Sequence, residues 1–199
     1  MFTVALILFC SLPLSLVLIV RLFAGLQSKG AWMEQKVAQK LSKLPQEEYI
    51  TLNDLMFEST RGTTQIDHVV ISIYGVFVIE AKNYSGRIVG NENSEYWEMS
   101  IYGYRYKTGN ALRQNKGHIA AVRYNGFVNR DVPIHNIVVF ANKTNFDIHH
   151  AEGMVIYLDS LIPVIKRFCQ CTPIMSIQQV QQIAANLQRR NIVDPEKRK

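Results

Sequence analysis

Gln65 to Lys82 reads QIDHVVISIYGVFVIEAK, and this stretch decides the fold. It is rich in β-branched residues on both sides of Tyr74-Gly75, which reads as two strands joined by a turn. With Ile73 set against Val76, counting outward places Ile71 against Val78, Val69 against Glu80 and Asp67 against Lys82. Side chains alternate faces along a strand. Asp67, Glu80 and Lys82 therefore emerge on one face, within cross-strand or diagonal reach of each other. The rest of that face is Val69, Ile71, Val76 and Val78.

Strand interiors are depleted in Asp, Glu and Lys, so three such residues gathered at the end of an apolar face call for a reason. Chemistry offers one. Two carboxylates on adjacent strands supply hard oxygen ligands for Mg²⁺ and leave positions for water and a phosphate. A lysine beside them can orient the water and stabilise charge developing on the phosphoryl group. The spacing also fits a partly exposed ion-pair cluster at a sheet edge, because Glu-x-Lys on a strand is common by chance.

Working outward, Ala31 to Leu44 has helical period, with Met33, Val37, Leu41 and Leu44 on one stripe and Pro45 as its stop. Tyr49 to Leu55 reads as a strand or irregular segment, and Glu58 to Thr64 as a polar loop. Beyond Lys82, Asn83 to Gly86 is a turn, Arg87 to Val89 a short strand, and Tyr96 to Tyr106 a hairpin around Tyr102-Gly103. Ala111 to Tyr124 is a helix with Asn110 at its N-cap. Ile134 to Ala141 and Met154 to Tyr157 are apolar strands. Asp159 is placed to cap a helix running to Phe168, and Ser176 to cap a last one whose face is Ile177, Val180, Ile183, Ala184 and Leu187. The order describes an α/β domain with a mixed central β-sheet flanked by helices.

Phe2 to Val20 carries no charged side chain and is followed by Arg21, long enough to cross a bilayer as one helix. Nothing basic precedes the run and no small-residue cleavage site follows it, which favours an uncleaved anchor over a signal peptide. Arg21 and Lys29 orient the N-terminus outward and the body toward the cytoplasm, at an inner (cytoplasmic) membrane. The expected organisation is an anchor at 1–22, a linker at 23–30, a domain at 31–190 with core 31–145 and a C-terminal helical extension, and a basic tail at 191–199. The net charge is +6, all of it beyond the apolar run, which suits nucleic acid or an anionic membrane face. With 48% hydrophobic residues the chain can build a core, which excludes wholesale disorder. Cys10, Cys169 and Cys171 are too few and too close for a disulfide framework, and no Cys-x-x-Cys pair suggests zinc.

Asp67 followed by Glu80-Ala81-Lys82 at the end of the next strand resembles the PD-(D/E)xK nuclease pattern, without the proline before the aspartate, where Ile66 stands. More closely, Gly30 to about Ala141 resembles the NERD (nuclease-related) domain. The resemblance is carried by Gly30-Ala31-Trp32-Met33-Glu34 with Val37 and Leu41, by Gln65 to Val70, by Gly75 to Tyr84 with Gly86, by Trp97, and by Gln114-Asn115 with His118. It implies a restriction-endonuclease-like core and a role in DNA processing. It further implies that Glu34, Asp67, Glu80, Lys82 and Gln114 form an active site. Asp67, Glu80 and Glu34, with the carbonyl of Ala81, would bind Mg²⁺ or Mn²⁺; Lys82 would serve the nucleophilic water, and Gln114 would orient Lys82, the water or the phosphate. The expected function is a membrane-anchored, metal-dependent nuclease acting on DNA. The alternative is a non-catalytic nucleic-acid- or protein-binding module on the same fold.

Other signals are weaker. Tyr102, Tyr104 and Tyr106 alternate with Gly103, Arg105 and Lys107, which fits base stacking but also ordinary cross-strand aromatic packing. His149-His150 has no third ligand at a convincing spacing and reads as a loop. The tail from Asn191 reads as frayed.

Overall fold

A computed structural model describes residues 30–59, 62–149, 152–168 and 172–193. The apolar run, Cys10, Cys169, Cys171, His150 and residues 194–199 of the basic tail lie outside them. No helix among the described residues is long and apolar enough to cross a membrane.

Helix α1 spans residues 30–41. Its stripe of Met33, Val37 and Leu41, continued by Leu44, is buried as the period requires. The chain then forms β1 (Tyr49–Ser59), β2 (Gly62–Ser72) and β3 (Gly75–Lys82). Glu58 to Thr64 is thus not a loop. Phe57 pairs with Thr64 and Glu58 with Thr63, so the two strands run almost to the tip of their hairpin. Burial of Phe57 and the β-branched threonines favour continuing the ladder over opening it.

The β2–β3 turn corrects the expected register. Ser72 pairs with Gly75, Ile71 with Val76, Val69 with Val78 and His68 with Ile79, so the loop is Ile73-Tyr74. Ser72 explains the choice: its hydroxyl accepts from the Tyr74 N–H at 3.2 Å and donates to the Gly75 carbonyl at 3.3 Å. Gly75 adopts φ of 137°, where a side chain would be strained. The slip is two residues. Because it is even, every side chain keeps its face, but the partner changes: continued by one step, the ladder puts Asp67 opposite Glu80, not Lys82.

The expected single sheet is in fact two. β4 (Arg87–Asn91), β5 (Tyr96–Ile101) and β6 (Tyr104–Gly109) leave the first sheet after Gly86 and build a second. Helix α2 (Ala111–Gly126) follows, then β7 (Ile134–Phe140), β8 (Asn145–His149), β9 (Met154–Tyr157), α3 (Leu161–Arg167) and α4 (Ile177–Arg190). The first sheet has the order β1-β2-β3-β7-β9, antiparallel through β3 and parallel beyond it. The second has the order β6-β5-β4-β8, with β8 parallel to β4. His149, expected in a loop, ends β8 and pairs with Asp147 at 3.1 Å.

Alternation sorts the first sheet's two faces. Val69, Ile71, Val76 and Val78 pack toward α2 and α4, and Val70, Phe77 and Ile79 toward α1 and α3. Ile88 and Trp97 of the second sheet pack with Leu112, Val138 and Phe140 and join it to the first. Asn110 caps α2, accepting from the Arg113 N–H at 3.1 Å, and Ser176 with Gln179 forms a capping box on α4. Ile177 stands exposed rather than on the buried face of α4. Asp159 does not cap α3; its carboxylate is taken by Lys40 at 2.7 Å and by Asn142. The chain beyond α4 is tied where fraying was expected: the Asn191 side chain accepts from the Met56 N–H, and the Ile192 N–H donates to the Met56 carbonyl.

Candidate active site

β3 delivers Glu80 and Lys82 to the α2 side at the end of a strand that is buried throughout except for Lys82. Lys82 keeps a fixed main chain, because it pairs with Phe140 and its carbonyl accepts from the Ala141 N–H. β2 brings Asp67 alongside, where its Oδ2 accepts from the Ala81 N–H at 2.8 Å. From above, α2 is held in rotation by Asn115. This fully buried amide donates to the Val78 carbonyl and to Asn136 Oδ1, each at 2.8 Å. One residue before and three residues after that anchor, Gln114 and His118 turn toward the carboxylates.

The result is one connected set of polar contacts. Lys82 Nζ donates to Glu80 Oε1 at 2.5 Å and to Gln114 Oε1 at 3.1 Å. His118 Nδ1 lies 3.2 Å from Glu80 Oε2, at ion-pair distance but off the direction of a good hydrogen bond. Glu34 reaches the same place from α1, half-buried at the border of its stripe. All five expected residues line one cleft of about 380 Å³, together with Gln65, Ala81, Asn83 and Tyr84. A larger groove of about 780 Å³ runs along α2 and shares Gln114 with the cleft.

The electrostatics are unbalanced. Burial pushes the Asp67 carboxyl up to about 7, and the neighbouring Glu80 charge adds to the rise. Burial also raises Glu34, assisted by Asp54 and Glu80. Glu80 is the exception. Burial alone would raise it, but the His118 contact and the Lys82 charge outweigh burial and hold it low. Burial likewise works against the Lys82 ammonium, but Glu80 wins and the group stays firmly charged. Three carboxylates therefore share one cleft with a single lysine, and the lysine is committed to one of them.

His118 and Tyr84 belong to this site and were not assigned roles from the sequence. Helical spacing signals the first, four residues after Gln114. Tyr84 closes the Gly75 to Tyr84 stretch that carries the family resemblance, which gave it no role; its hydroxyl accepts from Thr108 Oγ1 at 3.0 Å.

An aspartate on one strand, Glu-x-Lys ending the next and a glutamine from a flanking helix, all on a mixed sheet, are the parts of a nuclease-related α/β domain, consistent with the PD-(D/E)xK superfamily. The model of the NERD family, the nuclease-related domain, matches residues 29–141, and the chain belongs to that family. An uncharacterized protein of Bacillus anthracis is 32% identical over 170 residues, covering 83% of this chain and 78% of that protein. No solved structure matches the chain.

Proposed function

We propose that the protein is a membrane-anchored nuclease that hydrolyses DNA with Mg²⁺ or Mn²⁺, its domain on the cytoplasmic side of the inner membrane. One observation carries the reading: Glu34, Asp67, Glu80, Lys82 and Gln114 meet in one cleft where carboxylates outnumber cations. The donor set fits a divalent ion. The oxygens are hard, and Asp67 and Glu34, raised first by burial and then by neighbouring carboxylates, are acids whose charged forms the fold leaves short of stabilisation.

Asp67, Glu80 and Glu34, with the Ala81 carbonyl, would hold the ion. Bound there, it supplies Lewis acidity toward a phosphoryl oxygen. Lys82 is positioned to donate to the attacking water or a non-bridging phosphate oxygen, and it stays charged to do so. Gln114 fixes the Lys82 ammonium at the cleft edge and can turn its amide toward the phosphate. His118 steadies the far oxygen of Glu80. Lys82 and His118 engage one Glu80 oxygen each, and a carboxylate has about four lone-pair sites, so Glu80 keeps acceptor capacity for an ion.

A second reading is a nucleic-acid-binding module without catalysis. It is favoured by the observation that, among the described residues, no three His, Cys, Asp or Glu side chains are already grouped to hold a metal ion. The experiment that separates the two is a paired measurement of DNA affinity and cleavage on Lys82→Ala and wild type. The nuclease reading expects cleavage to fall on the order of 10²–10³-fold while affinity falls only modestly, because one phosphate contact among several is lost. Unchanged cleavage removes Lys82 from the mechanism, and no cleavage by wild type with either metal selects the binding module.

A further inference from the structure

The β5–β6 hairpin carries tyrosines that the core does not use. Tyr102, Tyr104 and Tyr106 are 97%, 69% and 50% exposed, although cross-strand packing would have covered them. The ladder sets Tyr104 against Ile101, Tyr106 against Met99 and Thr108 against Trp97. Tyr104, Tyr106 and Thr108 therefore share the face on which Trp97 is buried. Thr108 is the end nearest the cleft, since its hydroxyl binds the hydroxyl of Tyr84, which lines the cleft. From there Tyr106 and Tyr104 continue outward in steps of about 6.8 Å along the strand. That step is about twice the roughly 3.4 Å rise per nucleotide of a stacked DNA strand, far enough apart for the two rings to meet different bases. The other face of β6 presents Arg105 and Lys107. Glu98 stands opposite Lys107 and 3.6 Å from Arg105, leaving one positive charge in excess.

We propose that this hairpin is a binding arm for single-stranded DNA, with Tyr104 and Tyr106 stacking unpaired bases and leading the strand past Tyr84 into the cleft. The proposal rests on the nuclease reading and narrows its substrate. Bases inside a duplex already stack on each other and offer no free face, whereas unpaired bases stack on any exposed aromatic ring. β6 is also the edge of its sheet, so pairing with a second copy of the chain is the competing use of this surface.

The test is fluorescence anisotropy of labelled oligothymidine with the full chain in a mild detergent, in EDTA so that nothing is cut. A duplex of equal length is measured alongside. Tyr104→Ala combined with Tyr106→Ala should weaken single-strand binding on the order of 10-fold or more. Tyr104→Phe combined with Tyr106→Phe should keep it, because the rings remain. Tyr96→Ala should also keep it, since Tyr96 is 51% exposed but lies on the opposite face. The salt dependence should be the same in all variants, no phosphate contact having been removed. Undiminished binding by the alanine variant, equal binding of the duplex, or a wild-type dimer that the alanine variant dissolves would each overturn the proposal. Its failure is separable from failure of the nuclease reading. Wild type that cuts while the alanine variant binds normally removes only the arm. Wild type that binds through the tyrosines yet never cuts removes only the nuclease.

Discussion

Asp67→Asn should make the metal-free protein more stable, and increasingly so as pH rises. The folded carboxyl has its pKa raised from 3.8 to about 7, mainly by burial and then by Glu80. The folded state thus holds this proton more tightly than the unfolded chain. The contribution is fully present below the unfolded pKa and is lost as pH rises through the folded one. Asparagine has no such proton to lose. At about 1.4 kcal/mol per unit, the roughly 3-unit shift sets a ceiling of about 4 kcal/mol at pH 8. The amide oxygen still accepts from the Ala81 N–H, but as a neutral acceptor, a loss of about 1 kcal/mol. Between pH 5 and 8 the advantage of the variant should grow by about 2–3 kcal/mol. His68, which burial lowers to about 4, stabilises with the opposite slope as pH rises from 4 toward 6.5. It is common to both proteins and cancels in the difference. The assay is chemical unfolding of both proteins in EDTA across this pH range. A stability difference that does not change with pH would refute the raised Asp67 pKa and, with it, the understabilised carboxylate offered as a reason for a cation.

The same imbalance predicts that Mg²⁺ or Mn²⁺ raises the melting temperature of wild type by mass action on the folded state; an equal rise in Asp67→Asn would place the ion elsewhere. Asn115→Ala should cost about 1–3 kcal/mol, because it strips the Val78 carbonyl and Asn136 of a buried donor. It should also lower cleavage by freeing the rotation of α2, so a variant that melts early but cuts normally when folded would show that Asn115 does not position Gln114. Cell fractionation should find the full-length chain in the membrane with its body protease-protected in intact cells; recovery of a soluble chain beginning near Leu26 would overturn the anchor.

Much of the cleft was legible because parity is robust. Whether the β2–β3 turn is Tyr74-Gly75 or Ile73-Tyr74, Asp67, Glu80 and Lys82 share a face, and only the partners change. The stripe of α1 was equally readable in Met33, Val37 and Leu41, but spacing left Glu34 at its border, and the family resemblance was what pointed it to the cleft. What failed depended on contacts distant in the chain. β8 has no strong alternation, and it forms because β4 offers a parallel edge. Asp159 has the local chemistry of a cap, but Lys40, far away in sequence, binds it instead. The split into two sheets turns on Gly86, where φ is 89° and a Cβ would stand 2.1 Å from the Ser100 carbonyl oxygen. No neighbouring residue announces that approach.

The cleft's position at the start of α1 has a consequence for where the protein works. Gly30 and Glu34 both line it, so its wall begins at the last residue of the expected linker. Between Val20 and Gly30 lie nine residues, Arg21 to Lys29. Fully extended, they and their flanking bonds span at most about 35 Å. If Phe2 to Val20 anchors the chain in a bilayer, as proposed above, that leash would confine the cleft to a thin layer beside the membrane. Its encounters would then be governed by what reaches that surface, and diffusion in a plane would replace diffusion through the cell's volume.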